Sequence, residues 1–281
     1  MEPRRDVHGV AVPAFLYGTA WKEQRTGELT ELALAQGFRG IDTANQRKHY
    51  FEAAVGDAVA AAIARGGVRR EDVFLQTKFT SIGGQDRRLP YDAEADTATQ
   101  VRQSAASSLA HLHTEVIDSF VLHGPSFRHG VAREDAEAWQ AMEALHDAGT
   151  VRLLGVSNVS LDQLAEFHRQ ARVKPAFVQN RCFASTGWDR EVRAFCGKNA
   201  IVYQAFSLLT ANPAALRSRA VADAAARTGR TAAQVVFGFA LAVGMLPLTG
   251  TTSAAHMRED LDCLSLDLSA DEVRAIERAE G

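Results

Sequence analysis

Short apolar runs recur along this chain, spaced so that one amphipathic helix fits between neighbours. They centre near Phe15, Ile41, Phe74, Phe120, Leu154, Val178, Val202 and Leu246 and read as strands. Between them, apolar residues spaced three and four apart predict helices over 23–36, 51–65, 97–111, 133–148, 160–171 and 188–199. Ser160 with Gln163 forms a capping box, and Gly37, Gly66 and Gly149 stand just past helical ends as C-caps. After the seventh strand, Pro213 opens one helical stretch to Arg227, Gly229 punctuates it, and Thr231 opens a second to Val243. Two short helices, 254–261 and 269–279, finish the chain. The β-then-α alternation runs throughout.

No linker, charge block or internal repeat interrupts the pattern, so residues 1–281 read as one domain. With 46% hydrophobic residues the chain can bury a large core. A net charge of -3, with Lys and Arg scattered, gives no electrostatic case for nucleic acid or an anionic membrane. A small molecule is the default partner, and the chain is expected as a monomer or small homo-oligomer. Cys182, Cys196 and Cys263 are too far apart for a metal knuckle and read as reduced thiols. The opening Met1-Glu2-Pro3-Arg4 leads into no apolar h-region, and no run is long enough to span a bilayer, so a cytoplasmic protein is expected.

Four residues, Asp42, Tyr50, Lys78 and His123, fall at or just beyond the ends of apolar runs. In a closed parallel barrel the carboxyl ends of all strands meet at one face, so such residues converge on one substrate. An ammonium at the end of a buried strand is expensive without a carboxylate, and Asp42 is the candidate partner for Lys78. A phenol beside that ammonium has its phenolate stabilised, which lowers its pKa and makes Tyr50 a proton donor. His123 then orients a carbonyl oxygen. These parts deliver a proton to a carbonyl and include no nucleophile-and-base pair for hydrolysis. The hydride must come from a cofactor.

The runs Gly40-Ile41-Asp42-Thr43-Ala44, Gln76-Thr77-Lys78, Leu122-His123-Gly124, Gly155-Val156-Ser157-Asn158 and Val178-Gln179-Asn180 resemble those of the aldo-keto reductase family, in the family's order and over almost the whole chain. The resemblance implies an α/β fold, a single (β/α)8 TIM barrel with extra helices near the C-terminus. It also implies NADP(H) as preferred cofactor and a carbonyl or alcohol substrate. Tyr50 is then the general acid, Lys78 tunes it, Asp42 pairs with Lys78, and His123 positions the substrate oxygen. By the same resemblance Ser157, Asn158 and Gln179 hold the carboxamide and Tyr203 stacks on the nicotinamide, while Gln204, Phe206, Ser207 and Leu208 cover the pyrophosphate. Gly250, Thr251, Thr252 and Ser253, with His256, Glu259 and Asp260, grip the adenosine end, where a helix start suits phosphate oxygens. Thr19 joins the cofactor residues.

Three departures from the family pattern bear on function. The family usually places its tyrosine nearer the aspartate, at the position of Arg47, so residues 45–49 read as an insertion that still presents Tyr50; the alternative is that Arg47 or His49 faces the substrate. Gly250 and His256 stand where many members carry a lysine and an arginine for the 2'-phosphate. Their loss weakens discrimination against NAD(H), with Arg258 close enough to compensate. Little sequence follows the last helix, so the mouth is expected to be open, walled by Trp21, Phe79, Tyr91 and the loop from Ser126 to Val131.

Other features have plainer readings. His111 and His113 lack a third ligand and read as a solvated helix end, and His8, His129, His146 and His168 as surface residues. Trp139, Met142 and Trp188 read as core packing, and the Ala-rich stretch 53–64 as a strong helix former. Two other functions fit the same residues. One is a lyase with a Schiff base on Lys78, which a protonated, paired lysine disfavours. The other is an NADP(H)-binding sensor whose displaced tyrosine has cost it turnover.

Overall fold

The computed structural model describes residues 3–279; Met1, Glu2, Glu280 and Gly281 lie outside the described residues. Chain order gives an antiparallel hairpin, β1 (Arg4–Val7) and β2 (Val10–Pro13), and then the eight anticipated strands. These are β3 (Leu16–Gly18), β4 (Gly40–Asp42), β5 (Phe74–Phe79), β6 (Ile117–Leu122), β7 (Val151–Ser157), β8 (Phe177–Arg181), β9 (Val202–Phe206) and β10 (Leu246–Thr249). All eight run parallel and close into a barrel, with β10 pairing both β9 and β3.

The hairpin was not anticipated from the sequence because its strands are short and mixed in polarity. Its turn, His8-Gly9, takes two positive φ angles, 50° and 82°, as a tight hairpin requires. Val7 and Val12 pack with Leu16, Phe74, Leu153, Phe177 and Leu246, residues near the strand starts. This apolar floor seals the barrel at the end opposite the site. Above it the strand register aligns Asp42 with Gln76, Gln76 with Ser119, and Gln179 with both Ser157 and Gln204. Because side chains alternate between faces, these polar residues form a layer inside the barrel. The larger apolar core lies outside, between barrel and helices.

Most expected helices are found within a residue or two of the anticipated bounds, such as Thr97–His111 and Arg133–Asp147. One differs: the single stretch expected from Pro213 is two helices, Pro213–Leu216 and Arg219–Thr228. Ser218 breaks it, adopting an extended backbone and accepting from Val221 N at 3.3 Å, a new N-cap. Gly37, Gly66 and Gly149 are left-handed just past their helices, as expected.

Helix Glu52–Ala64 approaches helix Thr97–His111 so closely at Gly56 that an added Cβ would lie 1.8 Å from the carbonyl oxygen of His111. Backbone stands against backbone there, so no side chain can swing aside. Gly56→Ala is therefore expected to destabilise the fold by about 3 kcal/mol, measured as a lower urea midpoint at unchanged slope. The packing matters for the site because Glu52 opens that helix just after Tyr50. Its buried carboxylate accepts from Thr77 Oγ1, from Ser108 Oγ at 3.2 Å and from His111 Nδ1 at 2.8 Å. His111 is thus tied to the helix layer while its side chain stays partly exposed, and Glu52 raises its pKa.

Candidate active site

At the carboxyl ends of the strands the four predicted residues come together. Lys78 is fully buried, and its ammonium donates to Asp42 Oδ1 at 2.7 Å, to Asp42 Oδ2 at 2.8 Å and to the Thr43 carbonyl at 2.7 Å. All three of its protons are therefore engaged within the protein. Asp42 also accepts from Gln76 Nε2 at 2.7 Å and Gln179 Nε2 at 3.0 Å, and both amides bond Gln204 Oε1. Ser119 Oγ closes the web by donating to Gln76 Oε1 at 2.9 Å. The ion pair is thus set in a satisfied polar layer, which a buried pair needs to be tolerated.

Tyr50 lies over this pair. Lys78 Nζ stands 5.1 Å from the centre of its ring, and the ring of His123 lies 5.9 Å away, edge to face. The segment between Asp42 and Tyr50 explains how. Tyr50 N donates to the Gln46 carbonyl at 3.0 Å in a turn that lifts residues 47–49 outward. The Arg47 guanidinium sits 4.0 Å over the Phe51 ring, and His49 stacks on Trp21 at 3.9 Å. Tyr50, rather than either of these, is the residue against Lys78.

Burial and the nearby Asp42 carboxylate hold the Tyr50 phenol well above its ordinary value. This reverses the expected lowering by Lys78. The ammonium is neutralised by Asp42 and its protons are spent on Asp42 and Thr43, leaving desolvation in control. Burial likewise pulls Lys78 below its ordinary value, against the opposing pull of Asp42. His123 is lowered to about 3 by burial and then by the Lys78 charge, so the ring is neutral across the physiological range. Its Nδ1 lies 2.6 Å from Thr80 Oγ1, and its Nε2 has no partner among the described residues.

The expected carboxamide residues border the same mouth. Asn158, left-handed at φ 56°, donates through Nδ2 to the His123 carbonyl at 2.8 Å and to Ser157 Oγ at 3.1 Å. Ser157 Oγ donates to the Gln179 carbonyl at 2.6 Å. Thr19 is buried, with its hydroxyl on the Asp42 carbonyl at 2.9 Å. Gln204 belongs to the polar layer beneath the site rather than to its rim. Phe206 ends β9, half-buried, with the Arg181 guanidinium 5.5 Å over its ring, and Ser207 turns the chain at φ 58° above buried Leu208.

Tyr203 requires a correction. It is one residue out of phase with inward-facing Gln204, so it points to the helix layer, where its hydroxyl donates to Asp189 Oδ2 at 2.6 Å. It is not placed to stack on a ring in the mouth; the β9 aromatic on the mouth side is Phe206. The same alternation takes Phe79 out of the proposed wall. Phe79 and Tyr91 are both buried, with ring centres 5.7 Å apart, and the Tyr91 hydroxyl donates to the Thr80 carbonyl at 2.8 Å. Trp21, 69% exposed, does stand at the mouth, beside His49.

At the adenosine segment, Ser253 caps helix Ala254–Asp262, with Oγ accepting from His256 N at 3.4 Å, and Thr251 Oγ1 lies 3.5 Å from His256 Nδ1. Gly250 and Thr252 are exposed, and Glu259 is half-buried with its carbonyl accepting from Gln234. Asp260 is buried, and desolvation raises it to about 6. Arg258 is exposed and donates to Gln36 Oε1 at 2.9 Å. Lys22 was not anticipated: its ammonium donates to the Gly250 carbonyl and sits 3.4 Å from where a Cβ at Gly250 would be. A lysine from the loop after β3 thus occupies the space that a side chain at 250 would enter. No local motif marks it.

The sequence matches the aldo/keto reductase family over residues 16–280. The chain belongs to that family. It is 30% identical to deoxymugineic acid synthase 1-A of Triticum aestivum over 266 residues, covering 87% of this chain and 79% of that one. It is 27% identical to NADPH-dependent codeinone reductase 1-2 of Papaver somniferum over 291 residues, 95% and 86% of the two chains. Among solved structures, a Bombyx mori aldo-keto reductase in complex with NADP superposes with a TM-score of 0.83 at 22% identity, covering 99% of this chain and 92% of that one. Among the described residues of this aldo/keto reductase, no helix is long and apolar enough to cross a membrane, and all three cysteines are buried and unpaired.

Proposed function

We propose that this aldo/keto reductase reduces aldehyde or ketone carbonyls to alcohols, with NADPH as the hydride source and Tyr50 as the proton donor. The observation that carries the reading is the seating of Tyr50 over the Asp42–Lys78 pair and beside His123. A phenol held protonated by burial is a reservoir of one proton at the mouth, and the free Nε2 of neutral His123 is the group to hold a carbonyl oxygen next to it. When bound, NADPH supplies the hydride to the carbonyl carbon. The protein's part is to fix the oxygen between Tyr50 and His123 and to pass the phenolic proton to it.

The residues around the mouth fit such a cofactor. The amide donors of Asn158 and Gln179 are tied to protein, so their carbonyl oxygens remain as acceptors for a carboxamide NH2. Phe206 presents a half-buried ring, and NADP is the ligand of the Bombyx mori relative. Lys22 takes the role expected of a lysine at position 250, meeting the cofactor's phosphates. Lys22→Ala is therefore expected to weaken NADPH binding about tenfold and NADH binding less, read by quenching of protein fluorescence. Equal loss for both would move Lys22 from the 2'-phosphate to the pyrophosphate.

The reading as a whole is tested by titrating NADPH and NADH, then following nicotinamide absorbance with a panel of aliphatic and aromatic aldehydes and ketones. Binding followed by turnover is expected. NADPH binding without turnover across the panel would replace the reductase with a cofactor-binding sensor, and absence of binding would remove both.

A further inference from the structure

Thr80 follows β5 directly, and its hydroxyl bonds one group only among the described residues, Nδ1 of His123 at 2.6 Å. The threonine is 4% exposed and held on several sides. Its carbonyl accepts from the Tyr91 hydroxyl at 2.8 Å and from Gln85 Nε2 at 3.3 Å. Its methyl is seated against Gly84, where an added Cβ would come within 2.6 Å of it. The main chain of His123 is fixed as well, donating to the Phe79 carbonyl at 2.9 Å and accepting from Asn158 Nδ2 at 2.8 Å. Neither partner of the Thr80–His123 bond is free to drift.

A neutral imidazole carries one N–H and one lone pair, and a hydroxyl carries one hydrogen that needs an acceptor. Were the ring proton on Nδ1, it would point at Thr80 Oγ1. The hydroxyl hydrogen would then have no acceptor among the described residues, at a buried position where an unmade bond is costly. The bare Nε2 would also turn a lone pair towards the mouth, where it repels a carbonyl oxygen. With the hydroxyl donating to Nδ1, both groups are satisfied and the ring proton sits on Nε2.

We propose that Thr80 is a positioning residue whose hydroxyl donates to Nδ1 of His123 and so holds the ring as the tautomer that presents an Nε2–H to the substrate oxygen. This rests on the reading of His123 as the group that holds that oxygen. Thr80 itself touches no substrate.

The test is a long-range 15N–1H correlation spectrum of the NADPH-bound enzyme labelled at histidine, with the His123 signals assigned by their loss in His123→Gln. Wild type and Thr80→Ser are expected to show an unprotonated Nδ1 and a protonated Nε2, with kcat for the two within about twofold. Thr80→Val keeps the side-chain shape but removes the donor. It is expected to show mixed tautomers and a kcat about tenfold lower, the loss that follows when a minor fraction of rings is competent. NADPH binding should not change. A proton on Nδ1 in the wild type would overturn the proposal, as would Thr80→Val with unaltered spectrum and kcat. If His123→Gln reduced substrate as fast as wild type, the role given to His123 would fall, while the spectra would still decide the tautomer that Thr80 selects.

Discussion

Tyr50→Phe is expected to lower kcat for carbonyl reduction by about a thousandfold or more, while NADPH binds as tightly as before. The variant removes one oxygen and leaves the ring in place, so its packing over Lys78 and beside His123 persists. Neither Lys78 nor the loop before Tyr50 is placed to take over. The protons of Lys78 are engaged by Asp42 and Thr43, Arg47 lies over Phe51, and His49 is stacked on Trp21. Equal loss in kcat and kcat/KM would mark an interaction made in the transition state rather than in substrate binding. Retained activity in Tyr50→Phe, with loss in His49→Ala or Arg47→Ala, would move the proton donor to the loop before Tyr50.

The ionisation of the site predicts the pH profile of the same reaction. His123 is neutral above about 3, and the Tyr50 phenol is held above its ordinary range. Both groups are therefore in their working forms across neutrality, and kcat for reduction should be flat over about pH 6 to 9. A sharp loss near neutral pH would mean that another group titrates in the reaction.

What the sequence made legible follows from which signals are periodic. The eight barrel strands and most helices were readable because apolar spacing and caps such as Ser160 and Gly37 are local. Asp42, Lys78 and His123 were readable because each sits at the end of such a run. The hairpin was not, since four-residue strands carry too little pattern. Tyr203 shows how a one-residue error of phase inverts a role: Gln204 faces the barrel, so its neighbours face the helices, and Phe206, two residues on, returns to the mouth. Counting alternation outward from a polar interior residue would have found it. Lys22 lay beyond any such count, because its meeting with Gly250 joins the two ends of the chain across the closing pair of strands, β3 and β10. The direction of the Tyr50 shift was also hidden, since it depends on where the protons of Lys78 go.

The Asp42–Lys78 pair carries the second large effect. Lys78→Met preserves much of the side chain's volume but leaves the Asp42 carboxylate buried with only the Gln76 and Gln179 amides as donors. Breaking a buried pair in this way costs about 3 to 5 kcal/mol at neutral pH, so a markedly lower thermal midpoint is expected along with loss of reduction. The destabilisation should depend on pH, and its sign is fixed. An unpaired buried carboxylate has a folded pKa raised above its unfolded value of about 3.9. Its protonated form is the one the fold tolerates, so the stability gap between variant and wild type is smallest below the unfolded pKa and widens as pH rises through the folded one. Asp42→Asn combined with Lys78→Met removes both charges and should recover most of the lost stability at pH 7, because a neutral group no longer has to be ionised inside the barrel. Activity should not return with it, since the charge pair beneath Tyr50 is gone. A double variant as unstable as Lys78→Met would locate the cost in packing rather than in the stranded charge, and a double variant that regained reduction would remove the ion pair from the catalytic machinery.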